Sequence, residues 1–540
     1  MDDAAIKSIL EERIDTVRRG TGIVVGVIDA EGRQIVSHGR MRSDGDRQPD
    51  GDTAFEIGSI TKVFTSILLA DMIERAEVAL DDPVDGLLPA AVRVPGTDDR
   101  PITLRDLATH HSGLPRLPDN FAPADGNNPY ADYTVEQMYE FLDNYTLPRA
   151  VGSRFEYSNL AVGLLGHALS LRAGMDYEAL LVERVTDPLG LADTRIALSA
   201  DLQSRLATGH DLVGKPVLNW DLPTLAGAGA LRSTTNDLLD FLAANMGLRE
   251  PLAAVLAATH VRQASTDNAS LGIGLGWFIL NAAGNLIIWH DGGTGGYRTF
   301  AGFDPNRQLG VVVLGNSANE VSDIGLHIFD GVFPLAPLQP LPEVVELDPA
   351  VLDAYVGKYE LVPDFIFTVT REGEGLFVEI TGQAKYEVFP LSESRVFYTV
   401  VEAQITFVKD ETGQVTHLTL HQGGVDQDAR RLPEPTAVLE RFTSALPEES
   451  GVDQNYPNPF NGSTIVPFTL SEAAEVDLGI YNMNGQRVAT LAAGWRQTGI
   501  YALHWDGRDD FGRELASGIY LYRLRIGGEQ VATRKLTLVR

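Results

Sequence analysis

The sequence predicts a multidomain protein: an α/β domain whose antiparallel sheet is flanked by helices and joined to an all-helical subdomain, then an antiparallel β-barrel, then a β-sandwich. Three observations predict this order. The 540 residues exceed one core, because domains usually contain about 100–250 residues. In residues 1–335, strand patterns enclose a long helical stretch, whereas residues 348–434 and 451–540 contain short strands separated by turn residues. These three ranges are the predicted domains.

The composition excludes several classes of function. The chain has 74 acidic and 43 basic residues, a net charge of −31, whereas nucleic acids and anionic lipids are bound by clustered lysine and arginine. It has no cysteine, which excludes disulfides, thiolate metal sites and a cysteine nucleophile. No run approaches the roughly 18 apolar residues of a membrane span. The chain has neither cysteine nor a His-Glu-x-x-His motif, so we expect no catalytic zinc or other metal. We also expect no cofactor.

The first domain is predicted to be one sheet closed by both ends of the segment. Gly22–Gly39 has the pattern of a hairpin, and the period becomes helical from Ser59 to Arg75. Two further segments in the following stretch, Leu160–Ala173 and Thr235–Met246, are predicted helices. Strand patterns resume at Gly276–Leu280, Leu286–Trp289, Thr299–Phe303 and Leu309–Leu314.

Two breaks separate the trailing domains. The stretch 332–346 is rich in proline and is a predicted linker, and Pro447–Gly451 is a second break. Between them, Ala354–Leu432 has turn signals every 8–12 residues, as in a barrel or sandwich, and is followed by a predicted short helix, Pro435–Ser444. The residues after the second break return to strand patterns.

The strongest chemical signal is Ser59-Ile-Thr-Lys62 at the start of a predicted helix. Residues three apart on a helix lie on one face, and the helix N-terminus favours negative charge developing near Ser59. A desolvated lysine with a lowered pKa could take the serine proton. Lys62 is the only lysine between positions 8 and 214. By itself the pattern is weak, because most such pairs are an N-cap serine and a solvated lysine.

Two further motifs strengthen the interpretation of Ser59 and Lys62 as a catalytic pair. Tyr157-Ser-Asn159 follows about 100 residues later, and His290-Asp-Gly292 ends a predicted strand before a glycine-rich run. This order resembles the serine hydrolases of the class C β-lactamase, DD-peptidase and family VIII esterase group, with the second and third elements varied. The resemblance covers about residues 5–330 and implies their β-lactamase-like fold. Further similar segments are Leu107–Pro115, Pro188–Thr194 and Gly227–Asp237.

The resemblance implies a role for each matching residue. Ser59 would attack the carbonyl and become acylated, while Lys62 and Tyr157 would share its proton and pass it to the leaving group. A phenolate at Tyr157 would need the Lys62 cation beside it, since a phenol pKa is about 10. Asn159 would hold a substrate amide or orient Lys62. The backbone N–H groups of Ser59 and Gly293 would form the oxyanion hole.

One departure from the β-lactamase pattern guides the choice of substrate. Where those enzymes have Lys-Thr-Gly, this chain has His290, Asp291 and Gly292, and the resemblance places His290 and Gly292 along the substrate. Loss of the lysine and gain of an acidic residue weaken the case for a carboxylate-binding penicillinase. We therefore expect a serine hydrolase of small esters, amides or short peptides, and among these we favour a family VIII-type esterase. A D-amino-acid peptidase, a DD-peptidase or a weak β-lactamase is the alternative.

The trailing domains also resemble known families. Leu352–Glu360 begins a segment similar to the lipocalin-like barrels appended to hydrolases of this group, which either limit access to the active site or simply stabilise the protein. The segment from Gln454 resembles the Ig-like sorting domain of type IX secretion and the Ig-like domain of the flagellar hook-capping protein. This resemblance implies a secretion-machinery partner and a secreted or cell-surface enzyme whose leader has been removed. A periplasmic location is the alternative.

Two readings without turnover stay open. In one, the chain is a binding protein similar to a penicillin sensor, which is acylated slowly or never turns over. In the other, it is a surface adhesin in which the β domains carry the function. The intact set of Ser59, Lys62, Tyr157 and Asn159 favours an enzyme over both.

Overall fold

The computed structural model divides the chain into two compact units, Met1–Leu432 and Pro433–Arg540. It describes every residue except 97–99, 267, 269, 283, 338–343, 363–364, 382–384, 400–402, 423–424, 433–449, 453, 456–457, 459–463, 483–485, 497, 506, 510–514, 516–517, 528 and 539–540. The predicted helix Pro435–Ser444 and part of the predicted 332–346 linker therefore lie outside the described residues.

An eight-stranded antiparallel sheet forms the centre of the first domain, with the order β2-β1-β10-β9-β8-β7-β6-β5. The first and last segments of the domain lie side by side in this sheet, because β1 pairs with β10. This pairing confirms the prediction of a sheet closed by both ends. The eight strands are β1 Gly22–Asp29, β2 Gly32–Gly39, β5 Ala264–Ser265, β6 Leu271–Ile273, β7 Phe278–Ala282, β8 Asn285–Gly293, β9 Arg298–Asp304 and β10 Leu309–Gly315. Two short strands, β3 Ala54–Glu56 and β4 Arg232–Thr234, pair separately.

Helices cover the sheet and fill the segment between its two halves. The sheet strands β1 and β10 are buried along most of their length, as their nearly continuous runs of apolar residues and glycine predict. The helices of the first domain are α1 Asp3–Glu11, α2 Thr61–Glu74, α3 Leu104–Ala108, α4 Val135–Asn144, α5 Asn159–Ala173, α6 Tyr177–Leu181, α7 Asp187–Leu189, α8 Ala200–Arg205, α9 Ala226–Gly229, α10 Thr235–Asn245, α11 Ala253–Thr259 and α12 Ser322–Phe329.

Helix α2 is the central helix of this domain. Twelve of its fourteen residues are buried, including the polar residues Lys62, Thr65 and Ser66. A helix that is buried on every side has no solvated stripe, so its sequence lacks the amphipathic pattern of a surface helix. A 3₁₀ turn, Gly58–Ile60, leads into it and carries Ser59. The helix therefore fixes the Ser-x-x-Lys pair inside the domain.

A closed eight-stranded antiparallel barrel completes the first unit, and helix α13, Pro349–Tyr355, precedes it. The alternation of buried and exposed residues along its strands gives it a separate core, in which Tyr355 stacks on Phe407 with ring centroids 4.1 Å apart. The barrel strands are β11 Gly357–Val362, β12 Phe365–Glu372, β13 Gly375–Ile380, β14 Tyr386–Pro390, β15 Arg395–Tyr398, β16 Ala403–Lys409, β17 Val415–Gln422 and β18 Val425–Arg431.

The second unit contains the two sheets expected of a β-sandwich. A three-stranded sheet has the order β19-β20-β23, and a four-stranded sheet has the order β22-β21-β24-β25. The two sheets share one apolar core. The strands are β19 Gly451–Val452, β20 Thr464–Leu470, β21 Ala474–Tyr481, β22 Arg487–Arg496, β23 Gly499–Trp505, β24 Gly518–Ile526 and β25 Glu529–Leu538. Across the described parts of both units, the model contains no helix with the length and apolar character that a membrane crossing needs.

Candidate active site

The Ser59 hydroxyl lies at the mouth of a cleft, at the N-terminal end of α2. The preceding Gly58 has φ +51°, a left-handed conformation that favours glycine. This turn leaves Ser59 partly exposed, while its neighbours Gly58 and Ile60 are buried. The sequence therefore supplies a hydroxyl that substrate can reach on an otherwise buried segment.

The Lys62 side chain is fully buried beneath Ser59. Its Nζ lies 2.9 Å from Ser59 Oγ and 2.7 Å from the carbonyl oxygen of Ala228, which belongs to α9. Burial lowers the pKa of Lys62 well below its usual value, the Arg116 guanidinium lowers it further, and Asp291 opposes both. Because burial disfavours the ammonium form, a neutral amine beside Ser59 can accept the hydroxyl proton.

The Tyr157 ring lies over the same pair. Its hydroxyl is hydrogen-bonded to the Ser59 side chain, and Lys62 Nζ lies 5.0 Å from the ring centroid. Burial raises the pKa of the Tyr157 phenol, and Asp291 adds to this effect, whereas the hydrogen bond to Ser59 and the Arg116 charge oppose it. The surroundings therefore favour the neutral phenol. A phenolate stabilised by a Lys62 cation is not the arrangement that these pKa directions favour.

His110 holds the Tyr157 segment in place. Its ring stacks on Tyr157 with centroids 4.4 Å apart, its Nδ1 accepts a hydrogen bond from the Ser158 N–H, and its carbonyl accepts one from Glu156 N–H. His110 itself has φ +60°. These contacts give His110 a structural role, which is to position the tyrosine of the candidate site.

Asn159 is the first residue of α5 and points its amide into the cleft. The Ser158 hydroxyl caps the helix by accepting the Ala161 N–H, which explains why the helix begins at this point. Asn159 Nδ2 donates to the Tyr130 hydroxyl at 3.1 Å. Its Oδ1 is buried and has no hydrogen-bond partner among the described residues. Asn159 therefore keeps one unsatisfied acceptor beside the cleft that the residue lines.

His290 lies inside β8, which continues three residues beyond it to Gly293. Its Nδ1 donates to the Asp291 carbonyl at 2.5 Å. Burial and the nearby Lys62 lower the pKa of His290 to about 3, so the ring is neutral at physiological pH. Partial burial and the Glu320 carboxylate raise the pKa of Asp291 to about 6. Of the two residues, Asp291 lines the cleft, whereas the ring of His290, predicted to contact substrate, is buried and is not among the lining residues. The strand therefore carries a neutral ring and an acidic group where the related β-lactamase motif has lysine and threonine.

The glycines of β8 bring the strand against the Ser59 turn. A Cβ on Gly292 would lie 2.0 Å from the Ile57 carbonyl oxygen, and a Cβ on Gly58 would lie 2.6 Å from Gly293 N. Thr299 Oγ1 also donates to the Ile57 carbonyl at 3.0 Å. Only glycine permits this approach of two backbones. The arrangement places the Gly293 N–H beside the Ser59 turn, as an oxyanion hole made from Ser59 and Gly293 requires.

The cleft around Ser59 has a volume of about 440 Å³ and includes three charged residues, Arg116, Arg298 and Glu320, that sequence reasoning did not identify. No local motif marks them, because they lie on three separated loops and strands that only the fold brings together. Together with Ser59, Tyr157, Asn159, Gly292 and Gly293, the lining residues are Arg116, Tyr130, Trp220, Phe278, Asp291, Thr294, Arg298 and Glu320.

The barrel contacts the loop that carries Trp220. Lys215 on this loop forms an ion pair with Glu387 of β14 at 2.8 Å, and the Leu212 N–H donates to the Thr399 carbonyl at 3.1 Å. The Trp220 N–H in turn donates to Glu56 Oε1 at 2.9 Å. The barrel therefore supports one wall of the cleft, which places it close to the active-site mouth.

Comparison with known proteins identifies three family segments. Residues 10–329 match the Beta-lactamase family, residues 341–434 match a domain of unknown function, DUF3471, and residues 454–526 match the FlgD Ig-like domain. The first match includes every candidate catalytic residue named above. The predicted fold, β-lactamase-like domain, barrel and Ig-like sandwich, is confirmed by these matches together with the observed sheets.

Individual relatives agree with the first match. The chain is 32% identical over 309 residues to the D-alanyl-D-alanine-carboxypeptidase/endopeptidase AmpH of Escherichia coli K12, covering 54% of this chain and 79% of that protein. It is 26% identical over 444 residues to penicillin-binding protein 4* of Bacillus subtilis, covering 75% and 94%. The solved structure of a beta-lactamase/D-alanine carboxypeptidase from Yersinia pestis is 27% identical, with a TM-score of 0.52 over 61% of this chain and 96% of that chain.

Proposed function

The chain belongs to the beta-lactamase family of serine hydrolases, and we propose that it cleaves carboxylic esters, and amides more slowly, through an acyl-enzyme on Ser59. One observation carries the proposal: the buried amine of Lys62 lies 2.9 Å from the partly exposed Ser59 hydroxyl. Nucleophile and base are thus within hydrogen-bond distance before substrate binds.

The reaction follows from the positions of these groups. Ser59 Oγ attacks the substrate carbonyl while its proton moves to Lys62 Nζ, and the oxyanion is bound by the N–H groups of Ser59 and Gly293. The bond to the leaving group then breaks, and the Tyr157 hydroxyl donates its proton to that group and is reprotonated from Lys62. Water attacks the acyl-enzyme by the same route in reverse, which releases the acid and restores Ser59.

Ester cleavage is favoured over β-lactam cleavage by the charge along β8. The neutral His290 ring offers no positive charge to a substrate carboxylate, and the Asp291 carboxylate repels one on this side of the cleft. The names of the relatives support a second candidate. AmpH is a D-alanyl-D-alanine carboxypeptidase/endopeptidase, so cleavage of short D-alanyl peptides is the alternative activity.

A substrate panel with active-site labelling tests the proposal. A fluorophosphonate probe followed by intact mass should add one adduct to the folded wild-type chain and none to Ser59→Ala. p-Nitrophenyl acetate and butyrate, D-alanyl amides and nitrocefin then compare the three reactions. The proposal predicts the highest kcat/KM for the esters. Absence of any adduct on wild type would exclude the serine hydrolase, and adduct formation without turnover would indicate a sensor-like protein.

We also propose that the enzyme is exported and that the Ig-like domain directs this step. Support comes from the resemblance of residues 451–540 to a type IX sorting domain and from the match to an Ig-like family. Expression of the full chain, with a leader supplied, in a bacterium with this secretion system should place enzyme in the medium or on the cell surface. The same chain ending at residue 450 should stay in the periplasm, and equal export of both would contradict the role of this domain.

A further inference from the structure

Arg116 is a charged residue of the cleft that the proposed reaction does not use. It follows Leu114 and Pro115 in a segment without regular structure, its side chain is exposed, and it lines the same cavity as Ser59. Its side chain makes no hydrogen bond to the described residues, and its guanidinium carbon lies 5.3 Å from the centroid of the Tyr157 ring. No acidic side chain of the described part of the chain pairs with it.

The other arginine of the cleft has a different environment. Arg298 donates through Nη1 to the carbonyls of Thr294 at 2.7 Å and Tyr297 at 2.9 Å, and its Nε lies 4.0 Å from Glu320. Asp291 adds a second carboxylate on this side. The net charge on the strand side of the cleft is therefore zero or slightly negative, whereas the side formed by the helical subdomain carries the unpaired positive charge of Arg116.

The backbone of Arg116 is fixed relative to the catalytic residues. Its carbonyl accepts hydrogen bonds from the N–H groups of Asn159 at 3.0 Å and Leu160 at 3.3 Å, the first residues of α5. Asn159 lines the same cavity, and its buried Oδ1 has no partner among the described residues. A guanidinium presents a rigid set of donors that matches a carboxylate, and an anchored backbone reduces the entropy lost when it binds one.

From these observations we propose that Arg116 determines specificity by binding an anionic group of the substrate, most simply a carboxylate. This inference rests on the proposed function and deepens it, since it names the substrate class: esters or amides that carry a negative charge on the Arg116 side of the cleft. The charge on β8 acts in the opposite sense and disfavours an anion on the Asp291 side. The site therefore selects for the position of the charge as well as its presence.

Matched substrates measure this preference. The neutral probe is p-nitrophenyl butyrate, and the anionic acyl probes are the mono-p-nitrophenyl esters of succinate, glutarate and adipate. The butyrate ester of 3-hydroxybenzoate carries the charge on the leaving group instead. Wild type should hydrolyse one of the anionic probes with higher kcat/KM than the neutral one, and the best probe shows on which side of the scissile bond the anion lies. Equal or lower kcat/KM for all of them would overturn the proposal.

Substitution of Arg116 tests whether this residue causes the preference for anionic probes. Arg116→Gln should lower the anionic-to-neutral ratio of kcat/KM by about 10- to 100-fold, the usual size of a charge-assisted hydrogen bond, and Arg116→Lys should lower it less. Arg249→Gln is the matched control, because Arg249 lies at a surface ion pair with Asp240 and lines no part of the cleft. It should leave the ratio unchanged. An equal loss for both probe types in Arg116→Gln would assign Arg116 to catalysis through Tyr157 and overturn the proposal.

A binding measurement separates this proposal from the proposed function. Monomethyl glutarate should slow fluorophosphonate labelling of wild-type Ser59 at lower concentration than methyl butyrate does, and Arg116→Gln should remove the difference. Labelling needs no ester turnover, so this result stands even if the probes are not hydrolysed. Equal protection by the two esters would overturn the anion site while leaving the serine nucleophile established.

Discussion

Substitution of Gly292 by alanine tests the geometry of the oxyanion hole. A Cβ at this position would lie 2.0 Å from the Ile57 carbonyl oxygen and 2.5 Å from Thr299 Oγ1. Cβ atoms essentially never approach another atom more closely than 3.0 Å, so β8 and the Ser59 turn must separate by at least about 1 Å. The Gly293 N–H moves with the strand, and a displacement of this size costs about 10²-fold in rate. We therefore expect kcat/KM to fall by about 10²-fold.

The neighbouring glycine provides a sharp comparison. A Cβ on Gly293 would meet the Arg298 side chain at 3.0 Å, and the end of that flexible side chain can move. Gly293→Ala should therefore cost less than Gly292→Ala, although Gly293 supplies the N–H group itself. Gly86→Ala is the control, because an added Cβ there meets no atom within 4 Å.

The assay is hydrolysis of p-nitrophenyl butyrate, with fluorophosphonate labelling of Ser59 and thermal unfolding as checks of the fold. The expected order of loss is Gly292→Ala, then Gly293→Ala, then Gly86→Ala. Two results would refute the reasoning: a Gly293→Ala enzyme that is less active than Gly292→Ala, or a Gly292→Ala enzyme whose kcat/KM is within about threefold of wild type. Either result would show that the close packing of Gly292 against Ile57 does not set the geometry of the oxyanion hole.

Three further predictions concern the titrating groups. Lys62→Met should lower kcat for p-nitrophenyl butyrate by about 10³-fold with an intact fold, and a loss under tenfold would remove Lys62 as the base. Asp291→Asn should move the acidic limb of the pH profile of kcat/KM to lower pH, because Asp291 raises the pKa of Lys62. Arg116→Gln should move this limb to higher pH, because Arg116 lowers the same pKa. Shifts of both variants in the same direction would contradict the assignment of the limb to Lys62. His260 has its pKa lowered to about 4 by burial, below the unfolded value of about 6.5, so its contribution to stability is lost as the pH falls through this window. The difference in unfolding free energy between wild type and His260→Gln should shrink by about 2 kcal/mol from pH 7 to pH 5 in urea unfolding, and a constant difference would contradict the shift.

The fold and the centre of the site could be predicted because their signals are local. The hairpin Gly22–Gly39 is confirmed residue for residue, and the predicted helices Leu160–Ala173 and Thr235–Met246 differ from α5 and α10 by one residue at one end. Ser59 and Lys62 lie within one turn of each other, so their spacing alone places them together. The strand predicted at Leu286–Trp289 extends to Gly293, because the following glycines pair with β9 although their propensity for strands is low.

The remaining features of the site depend on contacts distant in sequence. Arg116 and Glu320 are about 200 residues apart, and nothing in either local sequence predicts that both line one cleft. The neutral state of His290 and the free Oδ1 of Asn159 depend on burial by several elements at once. Sequence reasoning expected Lys62 to be able to stabilise a Tyr157 phenolate, whereas burial disfavours charge on both groups. The sequence therefore predicts which residues take part better than it predicts their charge.

The hydrogen-bond partners of Lys62 Nζ give a second reason, independent of the pKa, for an uncharged lysine before substrate binds. An ammonium group has three N–H donors, but the described structure offers Lys62 Nζ two partners, Ser59 Oγ and the Ala228 carbonyl. Among the described residues, the charged and the neutral form each leave one buried N–H without an acceptor, but an unpaired N–H of a cation costs more than one of a neutral amine. In the neutral form one N–H binds Ala228 and the lone pair can accept the Ser59 proton. The cation becomes favourable once an oxyanion forms at the Ser59 end of the cleft, so the buried lysine gains its charge during the step that it assists.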